Sequence, residues 1–277
     1  IVFRKDKTFL LDWMQVYMEA QESAGKKDGS QIKIAMRILK DYAGEMVTLD
    51  QIDGDFCRGY ITYLLTEYHP KGKDISNYTL HNYYRALNGA LNSAVRKRKM
   101  KANPFNELEK SEKIRKPESM RSYMTIEEVQ ALIDTPMPHE EYEIVKCAYL
   151  FSCFCGLRIS DIIKLKWNDV FVDRGQYRLA VSMKKTKEPI YLPLSPEALK
   201  WMPERGGKSS EDNVFDLPSA NTIRMQLKPW AKAAGISKRF SYHTSRHTFA
   251  TMMLTLGADL YTVSKLLGHA DVKMTQV

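Results

Sequence analysis

Apolar residues recur at helical spacing through the first hundred residues of this 277-residue chain, and the period switches to two only between Tyr177 and Leu192. A 3.6-residue pattern cannot keep one face of a strand buried, so the chain is predicted to be mainly α with a small β-sheet. Phe9, Leu10, Trp13, Val16, Tyr17 and Ala20 mark a first helix, broken at Gly25. Ile32, Ile34, Ala35, Ile38 and Leu39 mark a second. Phe56, Tyr60, Ile61, Tyr63, Leu64 and Leu65 mark a third, stopped by His69-Pro70, because a residue before proline avoids the α region. Ser76 is predicted to cap a fourth, whose stripe is Leu80, Tyr83, Tyr84, Leu87, Ala90, Leu91 and Val95. It runs over about 78–99 into a basic run, Arg96, Lys97, Arg98, Lys99 and Lys101. Residues 1–104 therefore read as a small all-α domain. Residues 105–122 are polar and charged and contain Pro117, so they read as an interdomain linker.

The second domain, 123–277, is predicted to open with a capping box, Thr125 and Glu128. An apolar helix follows over about 140–155, ended by Gly156, and then a short helix over 158–165. Tyr177, Leu179 and Val181, then Ile190 and Leu192, alternate with polar neighbours across Lys184, Lys185 and Lys187, a β-hairpin with a basic turn. Helices are expected again near 196–202, 220–234, 245–256 and 261–267.

Charge narrows the partner. Lys and Arg number 42 against 33 Asp and Glu, a net charge of +9, and the excess lies on both sides of Pro117. Nucleic acid is the leading polyanion for such a chain. No apolar run approaches the roughly 18 residues a membrane span needs, and the N-terminus has no signal-peptide pattern. Without an initiating Met, the chain is expected to be a fragment or a processed form. Cys57, Cys147, Cys153 and Cys155 form no CxxC pair, which fits a reducing compartment better than a disulfide framework.

Five polar positions in the second domain point to chemistry. Arg158 follows Gly156-Leu157, Lys185 sits in the hairpin turn, His243 and Arg246 stand three apart, and His269 follows Gly268. Two arginines, two histidines and a lysine suit an anion, and they supply no metal-ligand set. Arginine grips phosphate oxygens in bidentate fashion, and Lys or His can protonate a leaving oxygen. Each position alone is an ordinary surface, capping or core residue. Their order and local context carry the reading.

Taken together, Gly156-Leu157-Arg158-Ile159-Ser160-Asp161-Ile162, the Lys185 hairpin leading to Leu192-Pro193-Leu194, His243-Thr244-Ser245-Arg246-His247, and Leu266-Leu267-Gly268-His269 closely resemble the four boxes of the tyrosine recombinase (phage integrase) family. The style of the hairpin is most similar to integrases of Bacteroidetes mobile elements. The resemblance covers essentially the whole chain. It implies an N-terminal helical core-binding (SAM-like) domain, the linker, and an α+β catalytic domain. The implied activity is site-specific DNA cutting and rejoining through a 3′-phosphotyrosyl intermediate. Arg158 and Arg246 would hold the scissile phosphate and Lys185 would be the general acid. His243 would assist proton transfer at the tyrosine, His269 would donate a further hydrogen bond, and Asp161 would orient the site. His247, next to Arg246, reads as structural.

The resemblance implies no cofactor and no metal. It also implies duplex DNA with inverted-repeat core sites as partner, a tetramer on two DNA sites, a monomer without DNA, and a cytoplasmic, nucleoid-associated location in a bacterium. Arg96, Lys97, Arg98, Lys99, Lys184, Lys187, Arg224 and Lys228 are the expected DNA contacts. The nucleophilic tyrosine is expected directly after Val277, where the sequence stops; neither Tyr242 nor Tyr261 matches its position. Two other readings use the same residues. One is a type IB topoisomerase-like activity, and the other is a catalytically incomplete site-specific DNA-binding protein.

Overall fold

The computed structural model describes residues 7–118, 121–182, 189–269 and 271–275. The chain divides into two compact units, residues 1–119 and 120–277. Among the described residues no helix is long and apolar enough to cross a membrane.

Unit one is built from α1 (Leu10–Ser23), α2 (Gly29–Ala43), α3 (Gly54–Thr66) and α4 (Asn77–Arg96). Asp53 and Ser76 cap α3 and α4, accepting the backbone N–H of Phe56 and Thr79. The stripes read from the sequence meet in one core that includes Met14, Ile38, Tyr60, Leu64, Leu87 and Leu91. The Trp13 indole N–H donates to the Ala90 carbonyl at 2.8 Å and ties α1 to α4.

Two expectations are corrected here. Helix α4 stops at Arg96 rather than running to residue 99. Arg98 turns left-handed (φ 57°), and the Lys99 N–H closes back on the Ala94 carbonyl at 2.9 Å. Lys97, Arg98 and Lys99 are therefore exposed beyond the helix. The stretch expected to begin a linker at residue 105 instead packs on unit one as far as Ile114. Phe105, Leu108 and Ile114 are buried in its core, and the Phe105 ring meets Tyr84 edge to face at 4.9 Å. Three apolar side chains outweigh the charged composition around them, because each buried side chain of that size contributes about 1.5–3 kcal/mol.

Unit two is organised around α6 (Glu143–Cys155), an almost wholly buried helix. A single 3₁₀ turn over Glu140–Tyr142 precedes it, so the α-helix starts later than expected. Before it comes α5 (Ile126–Asp134), opened by the Thr125–Glu128 capping box. After it come α7 (Ile159–Ile162), β1 (Val170–Asp173), β2 (Gln176–Ser182), β3 (Pro189–Pro193), α8 (Pro196–Lys200), α9 (Ala220–Ala233), α10 (Tyr242–Thr255), α11 (Leu260–Leu266) and a 3₁₀ turn, Val272–Met274. Helix α6 packs against α8, α9 and α10.

The strands form one antiparallel sheet in the order β1-β2-β3, with Val170 opposite Leu179 and Leu179 opposite Leu192. Strand β1 adds a third strand to the expected hairpin. Arg174 and Gly175 both have positive φ (49° and 77°), the two-residue turn that matches strand twist. Four residues were too few to show a period on their own. Cys57, Cys147, Cys153 and Cys155 are free thiols.

Candidate active site

Gly156 sets the frame. It ends α6 in the left-handed conformation (φ 73°) and turns the chain so that Arg158 falls at the N-cap of α7. A Cβ at Gly156 would stand 2.5 Å from a ring carbon of Phe249 on α10 and 3.0 Å from a methyl of Leu267. Only glycine permits both the backbone angle and that approach.

The space opened there is spanned by Arg246 on α10, which is 3% exposed. Its Nη1 donates to the Gly156 carbonyl at 2.7 Å, and its Nη2 donates to the Leu267 carbonyl. One guanidinium thus joins the three sequence boxes around Gly156, Arg246 and Leu267. Burial and the nearby Arg158 push its pKa down to about 9, with Asp161 opposing; it stays cationic at neutral pH. Arg158 reaches Asp161 at 3.9 Å, and the other carboxylate oxygen of Asp161 accepts from the Ser160 hydroxyl at 3.1 Å.

Helix α10 begins at Tyr242, three residues earlier than expected. The Ser241 N–H donates to the Thr244 hydroxyl at 3.0 Å, and the buried Tyr242 hydroxyl donates to the Ala148 carbonyl at 2.7 Å. His243 is therefore one helical turn from Arg246, on the same helix. Its ring reaches solvent, yet packing around it and the cations Arg246, Arg158 and Arg121 hold its pKa below the usual histidine value. His247 shares that face: its ring meets His243 edge to face at 4.6 Å. Burial, then His243, Arg121 and Arg246, lower its pKa to about 4.

His269 completes the group. It follows Gly268 (φ 59°), its Nδ1 lies 2.8 Å from the hydroxyl of the buried Thr275, and its pKa falls to about 4 through burial, then Arg246, Arg158 and Arg121. Neutral imidazoles beside guanidinium groups form a basin for an anion with proton acceptors at its edge.

Lys184, Lys185 and Lys187 lie outside the described residues. Arg224 and Lys228, four apart on α9, are exposed, and Arg224 donates to the Asn221 side chain at 2.8 Å. Arg96 to Lys99 are exposed on unit one. Among the described residues no group of three or more His, Cys, Asp or Glu could hold a metal ion.

Sequence reasoning missed Arg121. It belongs to the same electrostatic neighbourhood as His243, His247 and His269, and its Nη1 donates to the Met274 carbonyl at 2.9 Å. Its only sequence signal was its place just before the Thr125 capping box. There the surrounding charge of residues 105–122 hid it.

The chain is similar to known proteins. "Tyrosine recombinase XerD" of Vibrio vulnificus is 32% identical over 176 residues, 58% of this chain and 57% of that protein. The chain thus spans little more than half the length of that relative. "Tyrosine recombinase XerC" of Pelobacter propionicus is 28% identical over 243 residues, 84% of this chain and 76% of that protein. The fold is shared with the Tn1549 transposon integrase solved with circular intermediate DNA (TM-score 0.75, 17% identity, 97% of this chain and 94% of that one). It is also shared with lambda integrase solved as a tetramer on a Holliday junction (TM-score 0.72, 21% identity, 98% and 77%). Residues 9–116 match the Phage integrase SAM-like domain, and residues 122–277, which hold Arg158, His243, Arg246, His247 and His269, match the Phage integrase family, to which this chain belongs.

Proposed function

We propose that the chain carries the phosphate-binding and proton-transfer groups of a site-specific DNA recombinase that cuts and rejoins duplex DNA through a 3′-phosphotyrosyl intermediate. The observation that carries this reading is Arg246, which is buried and cationic and joins the three boxes by two carbonyl contacts. Those contacts use two of its five N–H donors, so the guanidinium is pre-oriented before an anion arrives. The reading is supported by the family match and by the DNA-bound recombinases that share the fold.

In this mechanism a tyrosine following Val277 attacks the scissile phosphate and the 5′-hydroxyl leaves. Arg246 and Arg158 neutralise the non-bridging oxygens as charge builds, and Asp161 keeps Arg158 oriented. His243, neutral at pH 7, accepts or relays the tyrosine proton. With Nδ1 of His269 engaged by Thr275, Nε2 is its nitrogen for phosphate. Lys185 donates the proton to the leaving 5′-oxygen. The phosphotyrosyl bond conserves the energy of the broken ester, so rejoining needs no nucleotide cofactor. The basic residues of both units, Arg96 to Lys99 and Arg224 with Lys228, bind the duplex backbone around inverted core sites. Two such sites are brought together by four protomers.

Trapping tests it. A nicked duplex, selected from a random pool for tight binding, loses on cleavage the short fragment that carries the new 5′-hydroxyl and leaves the protein covalently attached to the 3′-phosphate. A denaturant-resistant adduct, lost in Arg158→Ala and Arg246→Ala, is expected from the full-length protein. Tight, salt-sensitive binding without any adduct would leave a DNA-binding protein. Relaxation of plasmids of any sequence would mark a topoisomerase.

A further inference from the structure

Residues 121–124 run as a non-helical segment into α5, pinned along their length. The Tyr123 carbonyl accepts from Lys238 at 2.8 Å. The Met124 N–H donates to the hydroxyl of Thr248 at 2.9 Å, and that fully buried hydroxyl in turn donates to the Thr244 carbonyl within α10. These contacts fix where Arg121 stands, and its guanidinium crosses to the Met274 carbonyl, 153 residues later in the chain, at 2.9 Å. Met274 closes the last 3₁₀ turn, where carbonyls lack partners of their own within the turn. The next residue, Thr275, is 2% exposed, and its hydroxyl lies 2.8 Å from His269 Nδ1. Leu267 is therefore held by Arg246, Thr275 by His269, and Met274 by Arg121.

We infer that Arg121 is a positioning residue for the nucleophile: by holding the Met274 carbonyl, it fixes the backbone that leads to the attacking tyrosine. The inference rests on the recombinase reading above. In-line attack demands placement within a fraction of an ångström, and a shift of about 1 Å can cost on the order of a hundredfold in rate. Arg121 anchors that backbone from the opposite end of the unit, so the lead into the nucleophile is set by the edge where the unit begins.

Three measurements on the full-length protein test this. On the nicked duplex, Arg121→Ala is expected to slow adduct formation about 30- to 100-fold, with DNA affinity changed by less than about twofold; Arg121→Lys, which keeps one donor, recovers part of the rate. A methylphosphonate at the scissile position removes one phosphate charge. It should rescue loss of a neutralising arginine such as Arg158, but not loss of Arg121. Rescue of Arg121→Ala would overturn the inference and make Arg121 a phosphate contact. The amides of Met274 and Thr275 now donate to the Asp271 and Val272 carbonyls at 3.0 and 2.8 Å. Their hydrogen exchange is expected to quicken at least about tenfold in Arg121→Ala, and unchanged exchange would sink the inference whatever the rates. If the unmutated protein forms no adduct, the recombinase reading falls and this inference with it. If it cleaves and Arg121→Ala cleaves equally fast, the inference alone falls.

Discussion

The two units solve burial in opposite ways. Among the described residues, unit one buries only Thr48 and Asn103 as polar side chains and packs the rest of its core from aliphatic and aromatic groups. Unit two buries Lys146, Ser152, Thr244, Ser245, Arg246, Thr248, Ser264 and Thr275. The basic residues of unit one's run are surface groups that any polyanion can meet. In unit two a cation is drawn inside and held by backbone carbonyls. Burying such a charge is costly unless it is paired and hydrogen-bonded, so its retention is the mark of a site rather than of stability.

The largest effect expected from breaking that contrast is at Arg246. Arg246→Ala leaves the Gly156 and Leu267 carbonyls buried without their donor. At about 1–3 kcal/mol for each unsatisfied group, unit two loses roughly 2–6 kcal/mol, read by denaturant unfolding. Adduct formation falls by at least about a hundredfold, the range for one lost oxyanion donor. Arg246→Lys keeps the charge but not the fork and should recover stability more than rate. A lysine variant with full activity would show that the two-carbonyl contact is dispensable.

Next is Gly156→Ala. The left-handed backbone costs about 1–2 kcal/mol, and forcing a methyl against Phe249 and Leu267 adds about 1–3. An unfolding midpoint lowered to match, with an unchanged denaturant slope, is the expected result. A smaller loss would mean that α10 and the Leu267 turn can shift apart. On unit one the opposite pattern is expected. Replacing Arg96, Lys97, Arg98 and Lys99 with Gln should leave stability within about 0.5 kcal/mol. The salt dependence of DNA binding should flatten by about 0.9 for each cation that had neutralised a phosphate. An unchanged salt slope would remove this run from the DNA-binding surface.

The same contrast explains what could be read from the sequence. Unit one was legible because its core is periodic: Trp13, Ile38, Leu64 and Leu87 all lie on stripes that the helical repeat predicts. Phe105, Leu108 and Ile114 were missed because three apolar residues in a charged segment have no period. In unit two, Gly156, Arg158, Arg246 and His269 were legible as boxes, but composition could not reveal that Arg246 would bridge two carbonyls. Arg121 was hidden for a related reason. Its partner is a main-chain carbonyl 153 residues away, and no side-chain pattern encodes a backbone acceptor. The ring contact of His247 with His243, four residues back, is not visible when positions are counted from Arg246.

The smallest effect is the most diagnostic of the basin. His247 and His269 titrate near 4 in the folded chain against 6.5 for a free histidine. Between those values the unfolded chain binds more protons than the folded one, so unit two loses stability as pH falls from 6.5 toward 4, and gains nothing further above 6.5. His243 shifts the same way; in unit one His81 is lowered too, by burial and then Arg85 and Lys116. A double variant, His247→Asn with His269→Asn, should therefore lose less thermal stability than the parent between pH 7 and 4.5. Phosphate reverses the field. An anion seated at Arg158 and Arg246 offsets the repulsion that keeps these rings neutral, so their pKa values rise when DNA binds. Binding then takes up a fraction of a proton at pH 6, and affinity strengthens modestly from pH 7.5 to 6 in the parent and less in the double variant, which keeps His243. Calorimetry in two buffers of different ionisation enthalpy reads that uptake directly. An uptake equal in parent and variant would place the histidines outside the field of the bound phosphate, and the contrast between the units would reduce to packing alone.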